Sequence, residues 1–182
     1  MIVALTGTPG TGKTSAANFL QKRGIETVDL NKVVEERDFL VGIDKKRKSK
    51  IVDIDKLDGY IKEKYNTIDV VFLVGHISHL LKNVDKVIVL RCHPDKLKKR
   101  LSTKGWTTRK IKENIEAEIL DIILCEALEA YTGKNVFEID TTKLSIDKVV
   151  SNILEIIDNK FKHIDKYKSG NIDWSEEIFN WI

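Results

Sequence analysis

Three observations predict an α/β protein with a five-stranded, mainly parallel sheet and helices on both faces. Short apolar runs alternate with helical patterns along all 182 residues. Such alternation builds parallel sheets, because a parallel neighbour needs a crossover connection. The longest apolar run is only "VVFLV", 70–74, the length of a buried strand. The first run leads directly into a glycine-rich turn and then an amphipathic helix.

In chain order the strands are expected at 2–6, 25–30, 68–74, 86–92 and 135–140. Helices are expected at 12–22, 30–39, 53–65, 94–103, 108–131 and 145–161. The first helix carries Phe19 and Leu20 inward, and Gly24 is placed to cap it. The longest, 108–131, has an inner stripe of Ile111, Ile115, Ile119, Ile122 and Ile123. Ligands of such sheets sit at the C-terminal ends of the strands. His76, Arg91 and Thr141 end or follow strands, so they are expected on that side.

Composition narrows the class. Hydrophobic residues make up 42% and charged residues 32%, a globular balance with a charged surface. No apolar run approaches the ~18 residues of a membrane span, so no membrane contact is expected. "MIVALTG" has no basic leader, so it does not read as a signal peptide. Cys92 and Cys125 lack metal-ligand spacing and read as reduced thiols of a cytoplasmic protein. The abundance of Lys, Ile and Glu is the kind found in thermophiles. Net charge is only +3, but "KKRKSK" at 45–50 holds five bases in six positions. That run is either a solvated loop or a contact for the phosphates of a nucleotide or RNA.

Gly7-Thr8-Pro9-Gly10-Thr11-Gly12-Lys13-Thr14 matches G-x-x-x-x-G-K-[ST] without a gap, between a strand and a helix. This is a P-loop. Its glycines let bare N–H groups approach phosphate oxygens, and the helix N-terminus adds partial positive charge. Lys13 can reach the β- and γ-phosphates of ATP, and the Thr14 hydroxyl can ligate Mg²⁺. Guanine-specific N-K-x-D is missing: "NKVV" at 31–34 and "NKFK" at 159–162 both lack the Asp, which favours adenine.

Two further segments stand out. "RLSTKGWTTRK", 100–110, sets Arg100, Lys104, Arg109 and Lys110 around a Gly-Trp turn between helices. It suits a lid closing over phosphates, or else a charged helix–turn–helix surface. The end of the chain carries Trp174, Ile178, Phe179, Trp181 and Ile182, and is expected to pack back on the domain or to bind a partner.

Together "GTPGTGKTS", "GHISHLL" and "RLSTKGWTTRKIKENIEAEI" resemble the "putative adenylate kinase" family of archaea and eukaryotes, whose eukaryotic member is the coilin-interacting nuclear ATPase. "IDWSE" at 172–176 is similar to the archaeal branch. The resemblance implies one adenylate-kinase-like P-loop domain over 1–182, with an NMP-binding insertion at about 30–53 and a lid at about 103–113. It implies phosphoryl transfer from ATP to AMP or another NMP, with ATPase activity. It also implies a role in late maturation of the small ribosomal subunit, through a ribosomal protein of the platform and possibly rRNA. Carried over by position, Gly10, Gly12, Lys13, Thr14 and Ser15 bind the ATP phosphates. Lys104 stands where the family has a lid arginine, and Lys143 at a position near the base. A lysine keeps the charge there but loses the bidentate fork.

The chain departs from the family at Val74-Gly75-His76, where relatives read Asp-x-His or Glu-x-His. Asp69 cannot substitute, since five strand residues at ~3.3 Å put it about 16 Å away. Asp29, at the end of the second strand, is another acid that could assist Mg²⁺. His76 is expected to orient a water or a phosphate. His79 reads as an ordinary polar residue in the turn that follows. The expected catalytic set is Lys13, His76 and Arg100, with Thr14 on the metal and Arg109 a further lid cation. Arg37 and the 45–50 run are the bases available to an NMP phosphate. Two function classes remain open: an NMP kinase with ATPase activity, or an assembly factor using ATP as a conformational switch. A small kinase for another metabolite has no residue set arguing for it.

Overall fold

The computed structural model describes residues 1–44 and 49–181. Four bases of the 45–50 run, residues 45–48, lie outside the described residues, while Lys50 lies within them.

The strands β1 (Ile2–Thr6), β2 (Glu26–Asp29), β5 (Val71–Val74), β6 (Lys86–Arg91) and β7 (Val136–Asp140) form one sheet in the order β2-β5-β1-β6-β7. Every pairing in it is parallel. Between them run α1 (Lys13–Lys22), α2 (Leu30–Glu36), α3 (Ile54–Tyr65), α4 (Pro94–Ser102), α5 (Thr108–Ile119), α6 (Ile122–Ala130) and α7 (Ile146–Asp158). The five-stranded α/β fold read from the sequence is therefore present.

Alternation along the strands divides the core. Val3 and Leu5 of β1 face α1 and α7, joining Ala16, Leu20, Val150 and Ile153. Ile2 and Ala4 face the opposite way, joining Val33 of α2, Leu57 and Ile61 of α3, and Ala127 of α6. Each fully buried aliphatic side chain contributes about 1.5–3 kcal/mol. The sheet is covered on both sides, so the site is confined to its edge.

Three departures from expectation have local causes. A hairpin, β3 (Leu40–Asp44) with β4 (Ser49–Val52), follows α2 and is separate from the main sheet. Its apolar residues are weakly buried: Val41 is 60% and Ile43 66% exposed. The expected 108–131 helix is broken between α5 and α6 at Asp121, whose φ of 54° and ψ of 27° are left-handed. Aspartate tolerates that conformation better than most residues, and here its carboxylate is bonded to the Arg91 guanidinium. The break rotates the isoleucine stripe out of register: Ile115 and Ile119 are buried, but Ile122 is 42% exposed.

The third departure is the C-terminal segment. Trp174 packs edge-on to His93 with ring centroids 5.0 Å apart, and Lys98 sits 4.7 Å over the Trp181 ring. The last short helix, α8 (Ile178–Trp181), touches α5. Packing back holds for the two tryptophans but not for Phe179, which is 92% exposed. Among the described residues, no helix is long and apolar enough to cross a membrane.

Candidate active site

At the C-terminal edge of the sheet lies a cleft of about 1210 Å³. Its floor is the loop between β1 and α1. Gly7 has φ 132°, and a Cβ there would lie 2.3 Å from the Leu90 carbonyl oxygen. Gly10 has φ 97°, and a Cβ would meet Leu97 and Leu101 at 2.9 Å. Only glycine fits at either position, which fixes the loop where the sequence predicted it.

Gly10, Gly12, Lys13, Thr14 and Ser15 all line the cleft. Lys13 folds in over its own loop, Nζ donating to Gly7 O (2.5 Å) and Thr8 O (3.0 Å). Burial pulls its pKa from the usual 10.5 to about 7; Glu118 works against this and Lys104 adds to it. Phosphate oxygens would restore the charged form. Thr14 and Ser15 are exposed at the helix N-terminus.

His76 lines the same cleft. Burial first, then Lys13, His79 and Lys110, lower its pKa below the usual 6.5, so the imidazole is neutral at pH 7. His79 is more than an ordinary polar residue of the turn. It is 1% exposed, with Nδ1 paired to Thr6 Oγ1 at 2.9 Å and Nε2 to Glu126 at 3.0 Å. It fastens the turn after β5 to the strand leading into the P-loop.

The basic residues separate by role. Arg100 donates from Nη1 to Thr141 Oγ1 (3.0 Å) and Gly10 O (3.4 Å), and from Nη2 to Thr141 O (2.8 Å). It lines the cleft while bracing the loop. Lys104 and Lys110 also line it, with Lys110 Nζ 4.2 Å from the Trp106 ring. Arg109 does not line it; it pairs with Glu113 at 2.9 Å, one turn along α5. Lys143 is exposed and outside the cleft lining, whereas its neighbour Leu144 is part of it. Arg37 stacks on Tyr60 at 5.0 Å instead of reaching the cleft.

Thr141 does face the loop, its hydroxyl 2.9 Å from Thr11 O. Arg91 does not reach the cleft. It is 1% exposed, bonded to Glu118 (2.9 Å), Glu138 (2.7 Å) and Asp121. A strand-end position correctly indicates the edge of the sheet, but it does not separate a ligand contact from an internal ion pair.

The missing acid has a neighbour. Val74 pairs with Leu5 on one side and Asp29 on the other. Asp29 is thus level with Val74, one strand away, about 4.8 Å across the sheet. Both residues line the cleft. Among the described residues no group of three or more His, Cys, Asp or Glu is arranged to hold a metal. The donors present, the Thr14 hydroxyl and the Asp29 carboxylate, suit Mg²⁺ that takes its remaining oxygens from phosphates and water.

At the far end of the cleft, Asn31, Glu35 and Lys50 line it, with Lys50 Nζ 2.5 Å from Glu35. Glu113, Asn114 and Ala117 form one wall from α5. Sequence reasoning did not single out Asn31, Glu35, Glu113 or Asn114. Their only signal is spacing: 113, 114 and 117 share one helical face.

A parallel sheet with a P-loop at its edge and helices on both faces defines a P-loop α/β protein. Residues 3–121 match the family model described as "AAA domain". The chain is 40% identical over 183 residues to a "Putative adenylate kinase" of Methanocaldococcus jannaschii, covering all of this chain and 97% of that one. It is 41% identical to the protein so named in Archaeoglobus fulgidus, over 98% of this chain and 94% of that one. The chain belongs to this archaeal "putative adenylate kinase" family. Shikimate kinase from Bacteroides thetaiotaomicron has a similar fold, with a TM-score of 0.59 at 19% identity, over 87% of this chain and 98% of that one.

Proposed function

We propose that the chain is a nucleoside monophosphate kinase, transferring the γ-phosphoryl group of ATP to AMP or another NMP, with ATPase activity beside it. The observation that carries this reading is the size and two-ended lining of the cleft. At about 1210 Å³ it exceeds the ~300–1,000 Å³ usual for one small ligand. One end has the P-loop with Thr141, Leu144, Ile146 and Val149, suited to ATP and its adenine. The other has Asp29, Asn31, Glu35, Lys50 and Ile54, suited to a second nucleotide. In this assignment residues 30–53 are the NMP-binding insertion and 103–113 the lid.

In the reaction the bond from the γ-phosphorus to the β-phosphate oxygen breaks. A new bond forms to a phosphate oxygen of AMP, giving two ADP. That oxygen is already anionic, so no general base is required, and neutral His76 is suited to orienting it or a competing water. Loop amides and Lys13 hold the phosphates in line, while Arg100, Lys104 and Lys110 offset charge that develops in the transition state. Thr14, with Asp29 nearby, would hold Mg²⁺, which would supply charge neutralisation for the phosphates. Lys143 and Arg109 would need to move to take part.

A second reading is an ATP-driven assembly factor of the small ribosomal subunit, acting in the cytoplasm on a platform ribosomal protein and rRNA. Val74 in place of an acid favours a slow site, and the exposed Val41, Ile43 and Phe179 offer contact surface. Formation of ADP from ATP and Mg²⁺, with and without AMP, tests both. The kinase reading expects strong stimulation by AMP and, from lost orientation of the phosphate, a loss of about tenfold or more in His76→Ala. If AMP has no effect and only slow phosphate release is seen, the switch reading replaces it.

A further inference from the structure

Glu118, at the foot of α5, belongs to none of the functions above. It is 2% exposed, and both carboxylate oxygens are engaged. Oε1 accepts from Arg91 Nε and from the Cys92 backbone N–H, each at 2.9 Å. Oε2 accepts from the Thr8 hydroxyl, inside the P-loop. The Glu118 backbone carbonyl also accepts from Arg91 Nη2 at 3.3 Å. Thr8 in turn is a hub: its carbonyl accepts from Lys13 Nζ (3.0 Å), Thr11 N (3.2 Å) and Thr11 Oγ1 (2.9 Å).

We propose that Glu118 is a positioning residue for ATP binding, fixing Thr8 and through it Lys13 and the phosphate loop, so that the helix following the lid sets the shape of the cradle. A core carboxylate serving only stability would need to satisfy Arg91 and the Cys92 N–H; it would not need to reach into a loop that holds phosphates. The bond joins α5, which contributes Glu113, Asn114 and Ala117 to the cleft wall, to the loop on its floor. It rests on the P-loop as the ATP site and is independent of any transfer to AMP.

Thr8→Val removes the hydroxyl at nearly constant shape, and Thr8→Ser keeps it. ATP affinity is measured with a fluorescent ATP analogue in the absence of any second nucleotide, alongside urea denaturation. The expected result is about tenfold weaker ATP binding in Thr8→Val, about 1.4 kcal/mol of affinity, because the loop is no longer held in the shape that receives phosphates, with recovery to within about twofold in Thr8→Ser. Glu118→Gln keeps an acceptor for Thr8 but loses one for Arg91 or Cys92, and is expected to lower urea resistance more than ATP affinity. ATP binding by Thr8→Val equal to wild type, or equal loss in Thr8→Val and Thr8→Ser, would overturn the proposal. If Thr8→Val does not fold, Thr8→Ala takes its place under the same criteria. Absence of AMP-stimulated turnover would refute the kinase reading and leave this result standing.

Discussion

Lys13 carries the sharpest consequence at the scale of single residues. Its pKa, drawn down to about 7 by burial, leaves it largely neutral at pH 8 before a nucleotide arrives. Bound phosphates favour the ammonium, so ATP binding at pH 8 is expected to take up about one proton. Calorimetric titrations in Tris and in HEPES read this as a buffer-dependent enthalpy; equal enthalpies would show Lys13 already charged. For folding, the unfolded chain holds this proton between pH 7 and 10.5 while the folded chain has lost it. The Lys13 contribution to stability therefore rises with pH across that window. Val74, 5% exposed beside Asp29, gives a second test. Val74→Asp buries a carboxylate near another, and is expected to cost about 1–3 kcal/mol without metal. Mg²⁺ with ATP should recover stability in thermal melts at lower Mg²⁺ concentrations than wild type needs. A variant indifferent to Mg²⁺ would remove this edge of the sheet from the metal site.

Helices and strands were read from periodicity, and the residues show where that reading stops. Strands buried on both faces, such as Val71–Val74, announce themselves because every side chain must be apolar. The P-loop is legible for a different reason: its contacts come from the local backbone, so the motif is contiguous. Glu118 and Arg91 are not legible, because their partners lie 26 or more residues away in sequence. The break at Asp121 is hidden too, since one left-handed residue leaves the apolar spacing on either side intact. The hairpin is not legible either, because Val41 and Ile43 are apolar without being buried. The first turn of α7 lends Ile146 and Val149 to the cleft, whereas Ile153, further along the helix, lies in the core and outside the cleft lining. Ile153, fully buried against Val3, Leu5 and Leu20, sets a control. Ile153→Ala is expected to lose about 2–5 kcal/mol in urea unfolding while the folded fraction keeps its affinity for ATP. A loss of affinity in step with that of Thr8→Val would mean the loop is no more sensitive than the core.

At the scale of the whole molecule, the sheet edge brings distant segments into one cleft. Residues drawn from within 8–15, 29–35, 74–77, 100–117 and 141–149 contribute to its walls. The basic turn after α4 and the hairpin region stand at different parts of it, an arrangement compatible with the proposed two-substrate reaction. Trp174 packs on His93 at the start of α4, Trp181 lies under Lys98 of α4, and α8 touches α5, so the tail braces the helices on either side of the basic turn. In the proposed function the cleft passes a phosphoryl group between two nucleotides. The most direct measurement is the fate of the label from ATP carrying ³²P at the γ position, incubated with Mg²⁺ and excess AMP. A nucleoside monophosphate kinase would place most of the label in ADP, with little as free phosphate. Label released as inorganic phosphate at the same rate with or without AMP would contradict it.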